Sequence, residues 1–130
     1  MPRIESISAV TLWAPQMSES VAFYRQAGFA LASGGAGAGF STFVVGGQYL
    51  NLCADEEGFR GCWGRVIFYV DQVDPMYERL IRAGIEPEFS PRDAPWGERY
   101  FHVRDPAGNE LSFARPLARN RQVSGGDPEP

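Results

Sequence analysis

The 130-residue chain has no lysine, a single histidine (His102) and only two cysteines (Cys53 and Cys62). Its twelve basic residues are all arginine, an imbalance we attribute to genomic base composition rather than to function. They are scattered along the chain, so the basic patch that nucleic-acid binding needs is missing. The cysteines have neither metal-site nor redox-motif spacing, which points to a reduced, cytoplasmic protein; a Cys53–Cys62 disulfide is the minor alternative. No apolar run approaches a membrane span, and Met1-Pro2-Arg3-Ile4-Glu5 is not a signal peptide, so no membrane partner is expected. What is present is one domain's worth of chain, 44% hydrophobic and 13% aromatic with a net charge of −4, long enough to close a core.

The chain is also written twice. Val10-Thr11-Leu12-Trp13 through Ala27-Gly28-Phe29 matches Val66-Ile67-Phe68-Tyr69 through Ala83-Gly84-Ile85 at a constant offset of 56, and Gly47 to Leu52 matches Gly108 to Phe113 at an offset of 61. Each copy reads as β-α-β-β-β. In the first, Ile7 to Trp13 is a strand, Ser18 caps a helix that Gly28 stops, and Phe29 to Ala32 is extended. Gly34 to Gly39 is a flexible loop and a candidate gate, and two strands flank the hairpin signal Gly46-Gly47. In the second, Arg65 to Asp71 is a strand, Asp74 caps a helix with Pro75 at its first position, and Gly84 ends it. Glu86 to Phe89 is a short extended piece and Ser90 to Gly97 a loop. Arg99 to Arg104 and Asn109 to Arg115 then pair across Asp105-Pro106-Ala107-Gly108. The expected organisation is a single domain over 1–117, with modules at 5–54 and 64–116, a linker at 55–63, and a disordered polar tail at 118–130.

Strand alternation assigns each side chain to a face. Phe101, Val103, Leu111, Phe113, Val66, Phe68 and Val70 fall on the helix side of the second module, as do Val10, Leu12, Leu50 and Leu52 in the first. The opposite faces carry Ala9, Thr11, Trp13, Tyr49, Asn51 and Cys53 in one module, and Arg65, Ile67, Tyr69, Tyr100, His102, Arg104, Glu110, Ser112 and Ala114 in the other. Aromatics mixed with isolated polar groups are the composition of a pocket lining rather than of a solvated face.

Two segments carry a family likeness. Ser18-Glu19-Ser20-Val21-Ala22-Phe23-Tyr24 followed by Ala27-Gly28-Phe29 resembles the first-helix signature of the vicinal oxygen chelate superfamily. Trp96-Gly97-Glu98-Arg99-Tyr100-Phe101-His102-Val103-Arg104-Asp105-Pro106-Ala107-Gly108-Asn109 is similar to the closing hairpin of that group, above all of its bleomycin-resistance-like branch. The resemblance covers about residues 5 to 116 and implies an α+β fold, two tandem βαβββ modules forming an eight-stranded half-open barrel around a cavity. It also implies a homodimer. Metal-dependent glyoxalases, epimerases, dioxygenases and fosfomycin-inactivating transferases share the fold with metal-free proteins that sequester antibiotics.

In that family a divalent metal is held by His, Glu or Gln from the first, fourth, fifth and eighth strands. Carried over by motif, these positions are Ala9, Asn51, Arg65 and Ser112. Ala9 has no donor atom, Arg65 is a fixed cation, and Asn51 and Ser112 are weak neutral donors. The expectation is therefore no metal, no cofactor, and none of the chemistry in which an ion polarises a substrate oxygen.

The remaining candidates are ligand contacts: Thr11, Trp13, Asn51, Arg65, Tyr69, Trp96, Tyr100, His102 and Ser112. Trp13, Tyr69, Trp96 and Tyr100 supply stacking surfaces or ordinary packing. Arg65 offers a planar fork to a carboxylate, phosphate or quinone oxygen, or else an internal ion pair. His102 lies beside Ser112, but Glu110 is expected to pair with Arg104, which leaves no acid to orient a Ser–His couple. Phe59 in the linker is a candidate lid, and Cys53 a wall residue. The expected function is sequestration of an aromatic or amphipathic small molecule, such as an antibiotic or secondary metabolite. The alternative is a metal-independent isomerase or lyase using His102 as acid or base.

Overall fold

A computed structural model describes residues 3–54 and 65–117, in two compact units spanning residues 1–62 and 63–130. Phe59, Cys62, the expected linker and the expected tail lie outside the described residues. The first unit holds β1 (Ala9–Trp13), α1 (Met17–Gln26), β2 (Ala30–Ser33), β3 (Phe40–Val45) and β4 (Gln48–Cys53). The second holds β5 (Arg65–Tyr69), α2 (Val73–Arg82), β6 (Arg92–Asp93), β7 (Glu98–Arg104) and β8 (Glu110–Pro116). The sheets have the orders β1-β4-β3-β2 and β5-β8-β7-β6, so the repeated sequence gives a repeated α+β topology. Strand pairing among the described residues closes no barrel.

In each sheet the first strand runs parallel to the fourth, and the third and fourth form an antiparallel hairpin. Val45 pairs with Gln48 across Gly46-Gly47, as the hairpin signal predicts. Both helices end in one geometry. Gly28 and Gly84 have positive φ; Phe29 N–H donates to the Tyr24 carbonyl and Gly28 N–H to that of Arg25, while Ile85 and Gly84 donate likewise to Leu80 and Ile81. This is the paired-bond stop that a left-handed glycine permits, and it accounts for the Ala-Gly-apolar triplet common to the two copies.

The helix starts differ from expectation. The helix α1 begins at Met17 behind Gln16, leaving Ser18 inside its first turn with no capping role. The helix α2 begins at Val73 behind Gln72, so Asp74 and Pro75 lie within its first turn. Proline is tolerated there because first-turn N–H groups have no intrahelical acceptor. Asp74 is instead taken by Arg99, whose Nε donates to it at 2.9 Å. The edge strand beside β7 in the second sheet is β6 (Arg92–Asp93), not Glu86 to Phe89. Pro87 has no N–H to offer a ladder, and of that stretch only Glu88 N–H reaches β7, at the His102 carbonyl. The strand β1 starts at Ala9 rather than Ile7, and β5 stops at Tyr69 rather than Asp71.

Helix-side packing follows the alternation. Tyr24 of α1 lies 5.5 Å from Phe43 between ring centroids, over buried Leu50 and Leu52. In the second unit Tyr77 meets Phe101 edge-on at 5.4 Å, and Phe113 stacks with Phe68 at 5.7 Å, beside buried Leu80, Val103 and Leu111. Each such buried side chain contributes roughly 1.5–3 kcal/mol. No helix among the described residues is long and apolar enough to cross a membrane.

The glycine loop is pinned at its start. Ser41 Oγ accepts from Gly35 N–H at 2.9 Å and donates to the Gly35 carbonyl, and Gly34 has φ +83°. A Cβ on Gly34 would lie 2.4 Å from the Phe40 carbonyl oxygen and 2.7 Å from Ser41 Cα, whereas one on Gly37 would meet nothing within 4 Å. Gly34→Ala should therefore cost about 3 kcal/mol from left-handed strain and overlap. Gly37→Ala should be neutral or stabilise by up to about 1 kcal/mol. Urea unfolding of the two variants checks this, and equal effects would contradict it.

Candidate functional site

The sheet faces turned away from the helices carry the candidate residues. On the first, Ala9, Thr11 and Trp13 of β1 are in register with Tyr49, Asn51 and Cys53 of β4, and Phe40, Thr42 and Val44 of β3 complete the surface. Three of its large apolar residues are open: Phe40 is 49% exposed, Val44 42% and Tyr49 47%. A polar ladder crosses between them. Thr42 hydroxyl donates to Asn51 Oδ1 at 2.8 Å, and Asn51 Nδ2 donates to Thr11 Oγ1 at 3.2 Å. Thr42 was not among the sequence candidates, although it shares the parity of Phe40 and Val44.

On the second sheet, alternation places Arg65, Ile67 and Tyr69 beside Glu110, Ser112 and Ala114, with Arg104, His102 and Tyr100 on the far side of β8. This face is partly filled by the segment leading into β7. Phe89 lies 5.5 Å from Tyr100 and 5.1 Å from His102 between ring centroids, and Trp96 lies 5.4 Å from Tyr100. Ala94, Tyr100 and Ala114 are buried together, with Ile67, Phe89 and Trp96 packed against them. Tyr100 and His102 are consequently covered within their own unit, and Ser112 is buried.

At one end of this face Arg65 grips Glu110 through Nε at 2.9 Å and Nη2 at 2.8 Å. The arginine is therefore committed to an internal ion pair, and its fork is not open to a ligand. Arg104 sits 3.2 Å from Glu88 and 3.6 Å from Glu110, closer to Glu88 than the cross-hairpin pairing predicts. Burial and a hydrogen bond to Glu110 push the Glu88 carboxyl above its ordinary value, against the pull of Arg104 and Arg65. Burial opposes ionisation of Glu110 as well, but hydrogen bonds from Arg65 and Glu88 outweigh it and hold its carboxyl below the usual value. The two carboxyls are thus driven in opposite directions, Glu88 up and Glu110 down, between two guanidiniums.

Glu88, His102 and Glu110 bring ligand-type atoms within 4.8 Å of one another, a constellation unrelated to the four family positions. Both carboxylates already face arginines, so a divalent cation there would meet two fixed positive charges. The family positions fit a metal no better: Asn51 Oδ1 is occupied by Thr42, Arg65 is locked on Glu110, Ser112 is fully buried, and Ala9 has no donor. Burial, then repulsion by Arg65, lowers the His102 imidazole below its ordinary value and favours the neutral ring. Its Nδ1 is 3.9 Å from Glu110, beyond hydrogen-bond length, and neither His102 Nε2 nor Ser112 Oγ has a partner among the described residues. A hydrogen-bonded Ser–His–acid relay is not assembled.

At the other end lies a residue that the sequence pattern left out. Glu98 is fully buried, and its carboxylate accepts from the Tyr69 hydroxyl and from Trp96 Nε1 at 3.2 Å. Starting β7 at Arg99 hid it. One residue more places Glu98 on the face of Tyr100 and His102.

The ion pair has a testable pH signature. Arg65→Met should cost about 3 kcal/mol near pH 7, the lower end for breaking a buried pair. Because the folded-state value of Glu110 is depressed, its contribution is complete above the reference 4.5 and is lost as pH falls through the folded value. The gap between parent and variant in urea unfolding should narrow below pH 4.5. A gap unchanged at lower pH would contradict this assignment.

Comparison with known proteins agrees with this architecture. The family model described as Glyoxalase/Bleomycin resistance protein/Dioxygenase superfamily matches residues 6–113. A putative glyoxalase family protein from Bacillus anthracis superposes with a TM-score of 0.75 at 25% identity, over 89% of this chain and 98% of its own. A lactoylglutathione lyase from Agrobacterium tumefaciens gives 0.72 at 25%, over 87% and 95%. TioX from Micromonospora sp. ML1 gives 0.69 at 27%, over 87% and 100%. No curated protein matches. With the doubled βαβββ topology in place and the family model covering most of both copies, the chain belongs to the Glyoxalase/Bleomycin resistance protein/Dioxygenase superfamily.

Proposed function

We propose that the protein binds a planar or amphipathic small molecule, such as an antibiotic or other secondary metabolite, and holds it without a metal and without changing it. The observation that carries this reading is the open face of the first sheet. Phe40, Val44 and Tyr49 stand exposed there around the Thr42–Asn51–Thr11 ladder, an apolar surface with a few fixed polar groups. Lyase chemistry of the kind named for one structural neighbour is not carried over, because the four family positions do not fit a cation.

Acid–base catalysis by His102 is the second reading, favoured by its neutral ring and partnerless Nε2. Against it, His102 is only 7% exposed and lies against Phe89 and Tyr100. We expect the binding protein to be a homodimer, which sedimentation would find at about twice 14.4 kDa.

A thermal-shift panel of planar antibiotics and quinones tests the function, with each binder recovered and weighed by mass spectrometry. A true ligand at a hundred times its dissociation constant stabilises the native state by about 2.7 kcal/mol. It should come back unaltered, and Tyr49→Ala should weaken it about tenfold or more. Turnover that disappears in His102→Ala would establish the catalytic reading instead. A panel with no binder would overturn both.

A further inference from the structure

We propose that the Tyr69–Glu98–Trp96 end of the second sheet recognises a planar cation carrying N–H donors. This rests on the small-molecule reading above and names the ligand class that one part of it selects. The argument begins with Glu98. A buried carboxylate is costly unless it is paired, and buried glutamates ordinarily meet an arginine or lysine. Glu98 meets neither. Its two oxygens accept from a phenol and an indole, both neutral, and no ion pair reaches it among the described residues. Accepting on both oxygens is the pattern of the ionised form.

Of the nearest arginines in sequence, Arg92 is in register with Tyr100, and its guanidinium lies over the Phe89 ring, 3.6 Å from the centroid. Arg99, next to Glu98 on β7, projects to the other face and is held by Asp74 and Asp93 at 2.9 Å each. Arg115, in register with Arg99, donates to the Val70 carbonyl. Arg65 begins the strand that Tyr69 ends, four residues or about 13 Å away, and it is spent on Glu110. This face therefore has two unlike ends. Around Arg65, Arg104, Glu88 and Glu110 the charges cancel. Around Glu98 one negative charge is spread over two aromatic donors, with no ion pair to it among the described residues.

The consequence falls on the surface that a ligand would meet. The Tyr69 side chain is exposed (the residue is 57% accessible) while its hydroxyl proton is committed inward. The Trp96 N–H is committed in the same way, so neither group has a proton to give to a ligand. Hydrogen bonding to the carboxylate polarises both rings and makes their faces more electron-rich. Such a surface attracts a cation over the ring and an N–H donor at the Tyr69 hydroxyl oxygen, and repels a planar anion.

Three fluorescence titrations at pH 7.5 and low salt test this: proflavine (a planar cation with two amino groups), phenazine (planar and neutral) and anthraquinone-2-sulfonate (planar and anionic). Proflavine should bind at least tenfold more tightly than phenazine, and the sulfonate more weakly than either. Glu98→Gln keeps the shape and removes the charge, and should bring proflavine down to the phenazine level while leaving phenazine unchanged. If that variant does not fold, the ranking in the parent protein and its loss on adding salt stand by themselves. Equal binding of proflavine and phenazine, a sulfonate that binds as well as proflavine, no binding by any of the three, or a folded Glu98→Gln that keeps the preference would each overturn the proposal. Neutral members of the antibiotic and quinone panel that bind in any of those cases would leave the broader binding function standing, and a silent panel would remove it as well.

Discussion

A pleated strand sends alternate side chains to opposite faces, and here each four-stranded sheet has one helix in its unit to cover it. Everything else follows from that shortage of cover. The helix-side residues Leu50, Leu52, Phe43, Phe101, Val103, Leu111 and Phe113 are buried, with Tyr24 or Leu80 of the helix. The other faces must find another solution. The first leaves Phe40, Val44 and Tyr49 exposed. The second lays Phe89 over Tyr100 and His102, and Trp96 over Tyr100, so that Tyr100 and His102 are covered from within their own unit.

Enclosure turns polar groups into energetic commitments. Glu110 and Glu98 lie on the same face near its opposite ends, both buried and satisfied in different ways. Glu110 is neutralised by Arg65, and Arg104 faces both Glu88 and Glu110, so that end is electrically quiet and serves stability. Glu98 is satisfied by hydrogen bonds without being neutralised, so its charge is passed to the aromatic surface. The distinction between satisfied and neutralised separates the structural end of the face from the recognition end. It also explains why Arg65, an attractive ligand clamp by residue type, is not available as one.

Much of this was legible in the residues. The doubled unit, the Gly28 and Gly84 stops, the Gly46-Gly47 hairpin and the two-face parity of both sheets follow from local rules of backbone geometry that act within a few positions. Those same rules placed His102 opposite Ser112 and put Arg65 and Tyr69 on one face. They erred where two local signals competed. Ser18 and Asp74 are good caps by type, yet the helices begin earlier, and Asp74 is drawn to Arg99 from another element. The edge strand at Arg92–Asp93 was passed over because a two-residue strand has no periodicity to read.

The sequence by itself determined the topology and the face of nearly every strand residue, because alternation and turn chemistry are properties of adjacent residues. Only the tertiary structure decided what those faces do. Whether Arg65 reaches a ligand or Glu110, whether His102 is open or lies beneath Phe89, and whether Glu98 is a surface charge or a buried one held by Tyr69 and Trp96 all depend on groups that meet across strands and loops. Hydrogen bonds and desolvation act over a few ångströms of space, and sequence separation does not measure that distance.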